Sequence, residues 1–170
     1  GNPELIDIEG LVQPAWLQLP EHCEECQGTP AFNKSCLIAK AYHGFLKRAE
    51  RRDWDDFAHF CQEKAFWLDD FALFIALRNV FNQQCWNQWP EPFKERDSKA
   101  LKEARHRLST PIEEIKFEQY VFFRQWMTLK TYADERGVLL FGDIPIFVSY
   151  DSSDVWANRE VFKLDESGEM

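Results

Sequence analysis

Val138-Leu139-Leu140-Phe141-Gly142-Asp143-Ile144-Pro145-Ile146-Phe147-Val148 is a nearly continuous apolar run. Runs of this kind form strands that are covered on both faces, as in parallel sheets and barrels. The preceding stretch, Ile115 to Ala133, carries its apolar residues at helical spacing, and Gly137 follows as a suitable stop. A long helix, a glycine and a doubly covered strand make half of a βα repeat. Thr110, Pro111 and Glu113 predict the start of that helix as a cap, a first-turn proline and a capping-box acid. The helix is expected to bury Ile115, Tyr120, Phe122, Phe123, Trp126, Met127, Leu129 and Ala133.

Asp143 stands inside the apolar run. A carboxylate there costs several kcal/mol, as an order of magnitude, unless it is paired or lies at the strand end. Pro145 cannot donate to a sheet ladder, so regular pairing is expected to end nearby. Asp143 then falls near the C-terminal end of a strand, where barrels and open sheets build their sites. The competing reading is a structural ion pair to an arginine. Asp151-Ser152-Ser153-Asp154-Val155-Trp156 follows directly. Two acids, two hydroxyls and an indole suit a sugar-binding edge. Composition favours the other reading, a helix N-cap at Asp151 or Ser152 with Trp156 packed beneath.

Upstream, Gly1 to Pro20 is broken by Gly and Pro. Asn33 to Glu50 is helical in pattern through Cys36, Leu37, Ala41, Phe45 and Ala49. Asp53 to Phe81 continues helically, with Asp53 or Asp56 as a candidate cap, and Phe93 to Leu108 reads as a solvated helix with a narrow buried face. Between them, Trp86 and Trp89 sit in a breaker-rich segment and read as core more readily than as sugar platforms. Cys23-x-x-Cys26 lacks the second pair that a zinc site needs, and its flanks are loop rather than the strand and helix of a redox motif. No metal site and no cofactor is expected, and no phosphate-cradling loop or nucleotide fingerprint is present.

The bulk numbers limit the partners. With 29 acidic against 20 basic residues, the net charge of -9 repels phosphate backbones and gives no attraction to anionic membranes. No apolar run approaches the roughly 20 residues of a membrane span. Gly1 to Gly10 lacks the basic start and apolar stretch of a signal peptide, and five cysteines without a framework suit a reducing cytoplasm.

Three stretches together resemble the amylomaltases, the 4-α-glucanotransferases of glycoside hydrolase family 77. They are Gly142-Asp143-Ile144-Pro145-Ile146-Phe147-Val148, Asp151 to Asn158, and Phe162-Lys163-Leu164-Asp165. Gly1-Asn2-Pro3 with Leu5-Ile6-Asp7, Trp67 to Ala72, Trp86-Asn87-Gln88-Trp89-Pro90 and Phe123-Arg124-Gln125-Trp126 fit in the same order and spacing. The resemblance implies an α/β chain, mostly α in this segment: a fragment of a (β/α)8 TIM barrel with a large helical insertion. It implies an irregular segment near the barrel mouth at 1–32 and a helical insertion at 33–109. A barrel helix, strand and active-site loop would occupy 110–170. Asp143 would end the third barrel strand and shape the subsite of cleavage, with the Asp151–Trp156 loop beside the barrel mouth. Asp143, Asp151 and Trp156 are the substrate-binding candidates.

The implied chemistry is retaining double displacement on maltodextrins or starch-derived α-1,4-glucans, with glucose as an acceptor. An Asp attacks the anomeric carbon and a Glu serves as acid and then base, the two carboxyls about 5 Å apart. The family's nucleophile lies in an Arg-x-Asp motif, and none occurs after Asp143. The catalytic pair is therefore expected outside this segment. The segment alone is expected to be inactive and to self-associate through unpaired sheet edges and apolar surface. The alternative is a non-catalytic helical interaction module in which Asp143 makes only a structural pair.

Overall fold

The computed structural model describes residues 1–18, 34–142 and 146–164. Its helices are α1 (Lys34–Arg48), α2 (Arg51–Glu63), α3 (Ala65–Val80), α4 (Glu91–Lys94), α5 (Ser98–Arg107), α6 (Ser109–Asp134) and α7 (Ser153–Ala157). Short 3-10 turns stand at Pro3–Leu5, Glu9–Leu11, Trp86–Gln88 and Arg159–Val161. Among the described residues there is no β-strand.

Two compact units form, one from Gly1–Glu63 with Lys116–Leu140, the other from Lys64–Ile115 with Phe141–Met170. These limits cut across the divisions at 32 and 109 that the sequence suggested. The reason is in the helices. The aromatic face of α6 at Phe117 and Tyr120 packs with α1 and α2, whereas α3 packs with α7.

The first unit is built on rings. α1 turns Leu37, Ile38, Ala41, Tyr42 and Phe45 inward, at the spacing of one helix face. α2 contributes Phe57 and Phe60, and α6 contributes Phe117, Tyr120 and Val121. Trp16 completes the cluster at 5.0 Å from Phe45 and 5.8 Å from Phe117, both edge to face, the arrangement that ring quadrupoles favour. Asp53 works three residues into α2 rather than at its cap: its carboxylate accepts the Glu50 N–H at 3.1 Å.

Residues 1–17 lie on this cluster and are held by side-chain amides. Gln125 receives the Asp7 N–H at 2.7 Å and returns a donor to the Asp7 carbonyl at 2.8 Å. Gln119, itself buried, holds the amino and carbonyl groups of Gly1 in the same two-point manner. Arg48 donates to the carbonyls of Ala15 and Trp16, and Ala15 takes a left-handed turn (φ 57°) between them. This loop crosses α1 so closely that a Cβ on Gly44 would run into the Trp16 carbonyl.

In the second unit α3 buries Leu68, Ala72, Leu73, Phe74, Ala76 and Leu77, too broad a surface for one stripe, as befits a central helix. Around it pack Trp86, Trp89, Leu101, Ala104, Ile112, Val155 and Trp156. Asp97 caps α5 by accepting the Ala100 N–H at 2.8 Å, which breaks the expected single helix over 93–108 into α4 and α5.

Three expectations need correction. α6 begins at Ser109, so Thr110 lies inside the first turn instead of capping it, and Pro111 occupies a position whose N–H would have no intrahelical partner. Along α6, Trp126, Met127 and Leu129 are about half exposed rather than buried. The predicted strand is also not formed among the described residues of 138–148. Leu139, Phe141, Ile146 and Phe147 are almost fully exposed, and residues 138–142 and 146–148 are irregular. A strand exists only where a neighbour accepts its N–H groups and fills its carbonyls, and the described residues supply none. The stop at Gly137 does hold: the glycine is left-handed (φ 69°), its N–H reaches the Asp134 carbonyl, and the Val138 N–H reaches that of Ala133. These two bonds make a Schellman motif.

The crossing at Gly44 predicts that Gly44→Ala costs about 1–3 kcal/mol by overpacking. Gly142→Ala, at a site with nothing near the added methyl, should leave the urea midpoint unchanged.

Candidate functional site

The candidate site residues of the sequence fall on or beside the second unit. Asp143 lies outside the described residues, as does the Cys23/Cys26 pair. Asp151 and Trp156 are placed in detail.

Asp151 follows Tyr150 at the end of the irregular stretch. Its carboxylate meets the Arg78 guanidinium at 2.9 Å, with both side chains about a quarter to a third exposed. The other oxygen accepts the Trp86 backbone N–H at 3.4 Å. The Cys85 thiol sits beside the same carboxylate. Burial pushes that thiol above its ordinary range, and the Asp151 charge pushes the same way. Asp151 is therefore engaged by protein groups from α3 and from the 85–86 turn.

Ser152 is the N-cap of α7, its hydroxyl accepting the Val155 N–H at 3.3 Å. This is the cap that the sequence offered as one of two readings. Trp156, one turn on, has no exposed surface. It packs 5.7 Å from Phe74 and 5.7 Å from Trp89, and its indole N–H donates to the Phe93 carbonyl at 2.9 Å. The Arg96 guanidinium lies 4.2 Å from its ring centroid. In this arrangement the indole stacks on protein rings and a guanidinium, leaving no face for a sugar.

Trp86 and Trp89 obey the same rule. Trp86 gives its indole N–H to the Tyr150 carbonyl at 2.8 Å and Trp89 to the Gln84 carbonyl at 3.0 Å. Both are buried, as their core reading expects.

The arginines that complete this unit were not singled out in the sequence. Arg96 adopts a left-handed backbone (φ 57°) after α4 and places its guanidinium 3.0 Å from both oxygens of Asp70, which Arg105 also meets at 3.2 Å. Arg159 pairs with Glu95 at 3.0 Å and lies 4.5 Å from the Trp86 ring. The one legible signal was Asp70, an acid within the apolar run of α3. Its partners are distant in sequence and carry no motif. Among the described residues no three His, Cys, Asp or Glu side chains converge as metal ligands, and no helix is long and apolar enough to cross a membrane.

Two measurements test this geometry. Trp156→Ala should cost about 3–5 kcal/mol of stability by urea unfolding. Iodoacetamide attacks the thiolate, so Cys85 should label slowly near neutral pH and faster as the pH rises. Asp151→Asn removes a negative charge, lowers the thiol pKa and should speed that labelling.

A family model described as 4-alpha-glucanotransferase, glycoside hydrolase family 77, matches residues 1–168. The 4-alpha-glucanotransferase of Thermus thermophilus is 39% identical over 173 residues, which cover 99% of this chain and 34% of the relative. That of Synechocystis is 42% identical over 180 residues, covering 99% and 35%. Among solved structures, an amylomaltase from Streptococcus agalactiae in complex with acarbose superposes with a TM-score of 0.85 at 32% identity, over 99% of this chain and 35% of that one. The chain thus spans about a third of the length of these relatives. From end to end it belongs to the 4-alpha-glucanotransferase family, glycoside hydrolase family 77.

Proposed function

We propose that this chain is part of a longer cytoplasmic 4-α-glucanotransferase that moves α-1,4-glucan segments between maltodextrins, with glucose among its acceptors. The observation that carries the reading is the similarity over 99% of the chain to proteins named for that activity. The acarbose complex of the Streptococcus relative supports a glucan-like ligand.

Within the longer protein the apolar stretch 138–148 is the third strand of a (β/α)8 barrel. Its exposed Leu139, Phe141, Ile146 and Phe147 are the side chains that such a barrel would cover. Asp143 shapes the subsite where the bond breaks, and the 151–156 loop stands beside it. Asp151 and Trp156 serve this site by holding the loop, given how fully protein groups engage them. Chemistry proceeds by double displacement. An Asp forms the glycosyl-enzyme, and a Glu protonates the leaving oxygen and then activates the acceptor hydroxyl. Both belong to parts of the protein outside this segment. Transfer wins over hydrolysis when a bound sugar hydroxyl, held in line, is presented in place of water.

The test is redistribution of maltotriose into glucose and longer oligosaccharides. The longer protein should catalyse it and the 170-residue chain should not. Asp143→Asn in the longer protein should lower kcat/KM by at least about a hundredfold. Turnover by the 170-residue chain would place the catalytic carboxylates within it and overturn this assignment.

A further inference from the structure

Trp86 grips both ends of the segment that runs from Tyr150 to Arg159. At the start, its indole N–H holds the Tyr150 carbonyl at 2.8 Å, its ring lies 5.1 Å from the Tyr150 ring, and its backbone N–H reaches Asp151. At the end, Arg159 stands over the same indole and is fixed in turn by Glu95. Between the ends, Ser152 caps α7 and Trp156 is sunk against Phe93. Arg78 adds an ionic bond at the start of the segment, to Asp151.

The energetics of that ion pair argue for placement over stability. Taking two charges partly out of water offsets much of their attraction, and an apolar pair of similar size is often as stable. Arg78 also leaves its Nε buried without a hydrogen-bond partner, which is a further cost. What an apolar pair would not supply is direction. A guanidinium on a helix fixes where one carboxylate stands, and so fixes the backbone at 150–151.

We infer that Arg78 is a positioning residue: through Asp151, and with Trp86 as its anchor, it sets the place of the 150–156 loop against the bound glucan. The inference rests on the transferase reading above. Arg78 touches no substrate itself.

Amide hydrogen exchange of the 170-residue chain reads the tether directly. Arg78→Met should speed exchange of the amides at 149–152 by about tenfold. Asp97→Ala, which removes the N-cap of α5 in the same unit and whose hydrogen bonds run to Pro92, Ala100 and Leu101, should leave those amides unchanged. In the longer protein, Arg78→Met should lower kcat/KM for maltotriose by about tenfold or more through misplacement. Arg78→Lys should recover part of that loss, and Asp97→Ala, which costs about 1 kcal/mol of stability through the lost cap, should stay near wild type. Unchanged exchange in Arg78→Met, or an equal kinetic loss in Asp97→Ala, would overturn the inference. A wild-type longer protein that leaves maltotriose untouched would overturn the transferase reading and the substrate side of this inference together. The exchange result would still decide whether Arg78 sets the loop.

Discussion

A buried indole must give its N–H to something, and in the second unit that requirement organises the chain. An amide or indole donor left unpaired in the interior costs about 1–3 kcal/mol, as much as a large share of a domain's net stability. Carbonyls in the body of a helix are already committed to their own ladder, so the acceptors come from irregular backbone and from the last turn of a helix. Trp86, Trp89 and Trp156 take Tyr150, Gln84 and Phe93. Each bond pins a turn, a loop or the single turn of α4 against α3 or its neighbours. The turn after α3, the turn around α4 and the loop before α7 thereby acquire fixed positions without a strand or a disulfide. The left-handed backbone of Arg96 belongs to the same scheme. A side chain that must lie over Trp156 and also reach Asp70 leaves the helix end in that conformation.

The first unit solves the same problem with amides. Its N-terminal residues form neither a long helix nor a sheet, so their backbone groups need partners from outside. Gln119 and Gln125 each present one donor and one acceptor in the plane of a single amide, which is what one residue of a strand would present. The segment behaves like an edge strand whose neighbour is a pair of glutamines on a helix. Trp16 sits beneath it with its own N–H unpaired, while Arg124 lies 5.0 Å from the ring. That exception shows how much the packing of Phe45 and Phe117 around this ring contributes by comparison.

Helices were legible because their evidence is local. The spacing of Leu37, Ala41 and Phe45, or the Gly137 stop, needs no knowledge of the rest of the chain. The burial of Trp86 and Trp89 was legible for the same reason, since breaker-rich segments with large rings seldom leave those rings in water. Two things were not local. The apolar stretch around Asp143 has the composition of a covered strand, but composition does not supply the neighbours that make one. The arginine partners of Asp70, Asp151 and Glu95 lie 26, 73 and 64 positions away, and ion pairs across such spans leave no spacing to read. For the site, the sequence located the loop and its cap and left open whether Asp151 and Trp156 face a sugar or the protein. The geometry directs both toward the protein.

The glutamine clamps join residues 118 positions apart in both cases. A ribosome delivers the chain from its N-terminus, so Ile6, Leu11 and Trp16 emerge long before Phe117, Gln119 and Gln125 exist. Helices α1 to α5 are all made in the interval. Within the first unit, the segment made earliest thus waits for α6 before it finds its place. Its apolar side chains spend that interval in water, where a nascent-chain chaperone would meet them.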